Sequence, residues 1–210
     1  MNRLALVAGL AVLAAAWLGP LPRLAPHYFS AHMTMHMGVV AIAAPLIAFG
    51  VAGGRLDLTH RYPALFSPIQ ASLVELLVVW AWHAPALHHA ARSSVAGLVA
   101  EQGTFFVSGL LVWLAAFGSE AARSGIRAGA GVVALLLTSM HMTLLGALLA
   151  LAPRALYAHG EVFGGRSPLD EQHLGGAIML GVGGVSYLAG GLWLSVRLLR
   201  QHQGARGELA

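Results

Sequence analysis

The sequence predicts an all-α integral membrane protein: a bundle of about six transmembrane helices (six or seven), with both termini cytoplasmic. Three observations carry that expectation. The chain is 58% hydrophobic and only 10% charged, whereas about a quarter of the residues in a soluble domain are charged. Six apolar segments, at 4–20, 31–50, 69–88, 95–117, 128–152 and 171–197, are long enough or nearly so to cross roughly 30 Å of hydrocarbon. The basic residues, all arginine with no lysine, divide unevenly between the two sets of connecting loops. Residues 1–200 form one polytopic membrane domain, and the polar stretch 201–210 reads as a flexible cytoplasmic tail.

The first segment is the shortest. Arg3, the apolar run 4–18 and the small residues Ala14-Ala15-Ala16 also read as a signal peptide. Gly19-Pro20-Leu21-Pro22 ends it in an extended turn. Pro45 is expected to kink the second segment, and Pro85 to kink the third just past His83. The sixth segment holds Gly175, Gly176, Gly181, Gly183, Gly184, Gly190 and Gly191. Small residues let helix backbones approach closely in lipid, so this helix reads as central and tightly packed.

Arginine sets the orientation. Arg3, Arg55, Arg61, Arg123, Arg127, Arg197, Arg200 and Arg206 lie in one set of connections, and Arg23, Arg92, Arg154 and Arg166 in the other. The positive-inside rule places the richer set in the cytoplasm. Trp17 and Trp82 then fall near the outer interface, and Trp113 and Trp193 near the inner one. Without a basic run, nothing argues for nucleic acid. Without cysteine there is no disulfide framework, zinc ribbon or thiol copper-exchange motif.

The histidines follow this topology although they were not used to build it. His27, His88, His89, His159 and His173 fall in outer loops or at outer helix ends. His32 and His36 lie in the outer half of the second segment and His83 in that of the third. At about 1.5 Å of rise per residue, His36, His83, Glu101 and Met179 come out roughly 6–8 Å outward of the midplane, on four helices. His141 and Met142 lie about one turn deeper, and His32 one turn shallower.

Imidazole and thioether together are the ligand set that copper prefers, thioether favouring its reduced form. His32 and His36 are four residues apart and stack on one helix face. Met33 and Met37 form a second such pair on the neighbouring flank. His32, His36, His83 and His141 are the metal-ligand candidates, with Met33, Met37, Met140 and Met142 as soft ligands or transfer stations and Cu(I) as the expected ion. The second ring nitrogen of each ligand needs a partner, which Glu101 or Gln102 could supply. His173 and Met179 complete the surroundings. The imidazoles of His36, His83 and His141 are expected within about 8 Å of a common point. Glu75, in the inner half, either pairs across helices or forms a proton or ion site.

These residues resemble a family. His32-Met33-x-x-His36-Met37, followed by Ala44-Pro45-Leu46, resembles the signature helix of the polytopic CtaG-type cytochrome c oxidase assembly factors. Trp82-His83-x-Pro85-x-Leu87 is similar to their second signature. Glu171-Gln172, Gly175-Gly176 and Met179 resemble their Asp-Gln-x-x-Gly-Gly-x-x-Met segment, with Glu171 where Asp is usual and Leu180 where Trp often follows. The resemblance covers about 28–195. It implies a bacterial inner-membrane protein that assists metallation of a haem–copper oxidase, with copper handled near the periplasmic face. It further implies a partner in the oxidase, subunit I, and a periplasmic copper chaperone. This family is distinct from the single-helix, cysteine-bearing chaperone that shares the name.

The copper that sits beside the oxidase haem is itself buried towards the outer side, so a donor at similar depth could pass it laterally. No nucleophile–base arrangement stands out, so no enzyme activity is expected. Three other readings stay open: a scaffold that stabilises oxidase intermediates without metal, a b-type haem protein with two facing histidines, and a copper transporter. The last needs a polar path to the cytoplasm, for which the inner half offers little beyond Glu75.

Overall fold

Hydrocarbon offers no partners to backbone N–H and C=O groups, so a spanning segment pairs them within itself as a helix. The computed structural model describes residues 2–118, 125–157 and 165–207, with side chains described as far as Arg200. All secondary structure among the described residues is helical, with no strand. Among the described residues, five stretches are long and apolar enough to cross a membrane: Arg3–Leu24, Phe29–Val51, Val95–Phe117, Gly125–Ala150 and Pro168–Arg200.

Helix α1 spans Arg3–Leu18 and the short α2 Leu21–Leu24, so the expected extended turn is confined to Gly19. Helices α3 (Phe29–Met37) and α4 (Ala44–Val51) run on through a π-helical turn, Gly38–Ala43. The third expected segment is divided. Pro85 disfavours helical geometry at the residue before it, and Ala84 accordingly has φ −65° and ψ 130°. Helix α5 (Pro68–His83) stops there, and α6 (Pro85–Arg92) leaves in a new direction. With 16 residues, α5 is about 24 Å long. What was expected as a kink is a break.

Helix α7 (Val95–Phe117) opens on Ser94, whose hydroxyl accepts from the Gly97 N–H at 3.0 Å. Helix α8 is Gly125–Ala150. Helix α9 (Pro168–Ile178) starts with a reciprocal cap between Ser167 and Asp170, and a π-helical turn, Met179–Gly183, joins it to α10, Gly184–Gly207. The helix therefore extends through 201–207, within the segment read as a flexible tail.

The most enclosed stretch is Phe29–Val51, with 67% of its apolar window buried against 33% for Pro168–Arg200. The central place thus belongs to α3 and α4, not to the glycine-rich helix. Close packing of that helix does hold. A Cβ on Gly176 would lie 2.4 Å from the Ala150 nitrogen, and one on Gly146 would lie 2.8 Å from the Leu180 nitrogen. The α8–α9 crossing therefore requires glycine on both sides.

Pro45 brings no N–H to the Ala41 carbonyl one turn before it. Ser186 Oγ donates to that carbonyl at 2.6 Å, and Trp113 Nε1 donates to the Val40 carbonyl at 3.0 Å. Trp113 is thus a buried hydrogen-bond donor, not the interfacial belt residue that its position suggested. Tyr187 stacks on it at 4.8 Å and donates its hydroxyl to Glu75. Glu75 is therefore paired across helices, the first of its two expected roles.

Candidate metal centre

The break after His83 builds the site. Helix α3 contributes His32 and His36 on one face, α5 ends on His83, and α6 returns His88 and Arg92 over them. Helix α7 closes the side with Glu101, Gln102 and Phe105. His32, His36 and Glu101 have no exposed surface, and His83 has 4%. Tyr157, in the loop after α8, donates its hydroxyl to the His83 carbonyl at 2.7 Å, pinning the end of α5. Burial pushes this phenol above its ordinary pKa, so it stays a neutral donor.

Three imidazoles form a compact triangle. Ring centroids are 5.5 Å apart for His36–His83, 5.9 Å for His32–His83 and 6.4 Å for His32–His36. A metal at about 2 Å from a ring nitrogen lies about 3 Å from that ring's centroid, close to the radius of such a triangle. Phe105 packs on the His36 ring at 3.9 Å and on His83 at 6.0 Å.

The hydrogen bonds fix which nitrogens are free. His83 Nδ1 donates to the Val79 carbonyl at 2.6 Å, which leaves the Nε2 lone pair uncommitted. His36 has no hydrogen-bond partner at either nitrogen, and His32 Nε2 and His83 Nε2 have none. Buried polar atoms are nearly always paired, so four orphans on three touching rings mark a site built for something further. Neutral imidazole lone pairs suit a soft or borderline cation such as copper.

One edge of the triangle carries charge. Arg92 donates to His32 Nδ1 at 2.6 Å and, through its other terminal nitrogen, forms an ion pair with Glu101. Glu101 Oε2 is 3.7 Å from His32 Nδ1 and accepts from Gln102 at 3.2 Å. Removing one partner from such a buried pair costs about 3–5 kcal/mol, so Glu101 needs a cation beside it. His88 stacks edge-on to His32 at 4.9 Å. Phe29 and Tyr157 wall off this side, with ring centroids 5.5 and 4.4 Å from His88.

The other expected residues divide. Met33, Met37, Met142 and Met179 are buried, and the first three pack against glycines of the last helices. A Cβ on Gly183 would lie 3.3 Å from Met37 Sδ and 3.5 Å from Met142 Cβ, and one on Gly175 would lie 3.0 Å from Met33 Cγ. Met140 is 67% exposed and points out of the bundle. His141 is buried with both nitrogens unpartnered, yet it joins no ring contact among the described residues. The ring contacts therefore join His32, His36 and His83, and His141 takes part in none of them.

His173 Nε2 bonds the Ala152 carbonyl at 2.9 Å, and that ties it to a loop instead of the imidazoles. Glu171 accepts from Ser30, and Gln172 bridges Leu156 and Leu149. His27 and His89 are exposed, and His159 lies outside the described residues. Sequence reasoning left His88 at the interface and used Arg92 only as a topology marker. The signal available was their spacing of four on one short segment, which puts both on the face that α6 turns inward.

A family model described as the cytochrome c oxidase caa3 assembly factor (Caa3_CtaG) matches residues 2–201. The chain belongs to this family. The match takes in all the long apolar helices and every residue of the triangle. No curated protein and no solved structure matches the chain. The chain thus carries its imidazoles on the first and second of the motifs by which it resembles the CtaG type. The third motif, at Glu171-Gln172, ties α9 to α3 and to the loop before it.

Proposed function

We propose that this caa3 assembly factor holds a cuprous ion between His32, His36 and His83 and delivers it to a haem–copper oxidase, with subunit I as acceptor. The observation that carries this reading is the set of four unpartnered ring nitrogens on three converging, buried imidazoles. His83 already has the tautomer that leaves Nε2 for a metal. His36 has both nitrogens available. His32 can present Nε2 once its proton sits on Nδ1, where Glu101 can accept it; a carboxylate behind a ligating histidine is a recurrent support of metal sites.

The buried thioethers of Met37, on the neighbouring flank of α3, and of Met142, on α8, offer soft ligands along a lateral route. Positive-inside orientation puts the triangle towards the periplasmic side of a bacterial inner membrane, where a periplasmic chaperone can supply the ion. A haem held by two histidines needs a porphyrin between facing rings. The three rings instead pack against one another and Phe105.

The test is maturation of the oxidase in cells. Deleting the gene should yield oxidase deficient in copper at its haem–copper centre, measured by metal analysis and activity of the purified enzyme. Wild-type chain should restore it, and His83→Ala should not, at equal membrane abundance. Rescue by both His36→Ala and His83→Ala would instead establish a scaffold that acts without metal.

A further inference from the structure

We propose that His32, His88 and Glu101 form a receiving position for a monovalent transition-metal cation, a position the Arg92 guanidinium holds in the resting protein. The inference rests on the copper reading above and adds to it a second position and a route of access. Ligand atoms of these three buried residues all lie within 4.8 Å of one another. Donors bonded to one ion at about 2 Å lie at most about 4 Å apart, so an arriving ion draws these three together by no more than about 1 Å. The set is two imidazoles and a carboxylate, distinct from the all-imidazole triangle, and His32 belongs to both.

Arg92 occupies the same place chemically. A guanidinium can only donate, so its contacts with His32 Nδ1 and Glu101 take up the lone pairs a metal would use. They also hold His32 with a lone pair on Nδ1, the form that can accept an incoming ion there. Replacing a guanidinium by Cu(I) exchanges one positive charge for another, so Glu101 is never left buried without a cation. A divalent ion would leave an excess charge in the same apolar setting.

A way in adjoins the position. A cavity of about 370 Å³ is lined by Pro26, Pro85, His88, His89, Arg92 and Tyr157. Arg92 therefore borders both the cavity and the buried carboxylate and can withdraw into the first as an ion reaches the second. His88 and Arg92 ride on α6, an eight-residue helix set off from α5 by the extended Ala84, so ligand and placeholder move as one element. In the resting protein, Arg92 bars Glu101 from supporting His32 in the triangle. Loading the triangle thus requires the same withdrawal.

The experiment is stopped-flow transfer of Cu(I) from a chromogenic chelator to purified full-length protein in detergent, with copper content measured at equilibrium. His88→Ala should slow loading at least tenfold while final copper per chain stays at the wild-type value. Arg92→Lys, which keeps a charge beside Glu101 but loses the two-armed grip, should fold and load at least threefold faster. Wild-type rates within twofold in both variants overturn this inference alone. So does loss of the final copper in His88→Ala, which would make His88 a resident ligand. A wild-type protein that takes up no copper overturns the copper reading as well.

Discussion

Two polar patches lie inside this apolar bundle, and they differ in how their atoms are paired. Around the π-helical turn Gly38–Ala43, donors meet acceptors. Trp113 bonds Val40, Ser186 bonds Ala41, Tyr187 bonds Glu75, and Ser72 meets Thr138 at 3.0 Å. One oxygen of Glu75 is the exception. At the other end, His32, His36 and His83 face one another with four nitrogens unpaired. A paired network rigidifies a helix packing. A cluster of unpaired polar atoms costs stability until something binds it. The first patch is architecture, and the second is the site we propose.

Substitutions should separate the two. Trp113→Ala removes a fully packed ring and the donor to Val40, so thermal or denaturant unfolding in detergent should show a loss of about 3–5 kcal/mol. His36→Ala and His83→Ala remove orphaned nitrogens along with a packed ring, so the same measurement should find the apoprotein less destabilised than by Trp113→Ala. Tyr187→Phe should cost about 1–3 kcal/mol by leaving Glu75 unpaired, with copper affinity unchanged within twofold. Tyr157→Phe, which frees the end of α5, should cost about 1 kcal/mol. Met140→Leu exchanges one lipid-facing side chain for another. Both stability, within about 0.5 kcal/mol, and copper affinity should stay at wild-type values.

Much of this contrast could be read from the chain. The apolar segments gave four of the long helices nearly to the residue, because hydrocarbon thickness and helix rise leave little freedom. His32 and His36 share a face because they are four residues apart, and depth alone brought His83 and Glu101 to their level. Depth fails where azimuth decides. Met140, His141 and Met142 are consecutive, at about 100° per residue on a helix, so they cannot all face one centre. Met140 points outward, and His141 joins none of the triangle's ring contacts. Pro85 hid the rest. A kink would have carried His88 and Arg92 along the α5 axis towards the surface, whereas the break folds α6 back over His32. The ion pair between Arg92 and Glu101 follows from that return and from no local pattern.

The central claim is that the triangle binds copper. Its most direct test is metal analysis of wild-type, His36→Ala and His83→Ala proteins, each purified after Cu(I) loading and dialysis against a competing chelator. Wild-type protein should retain stoichiometric copper, and each variant should lose at least about 100-fold in affinity, beyond the 10–100-fold typical of a residue that merely supports a ligand. Stoichiometric copper retained by both variants would contradict the account.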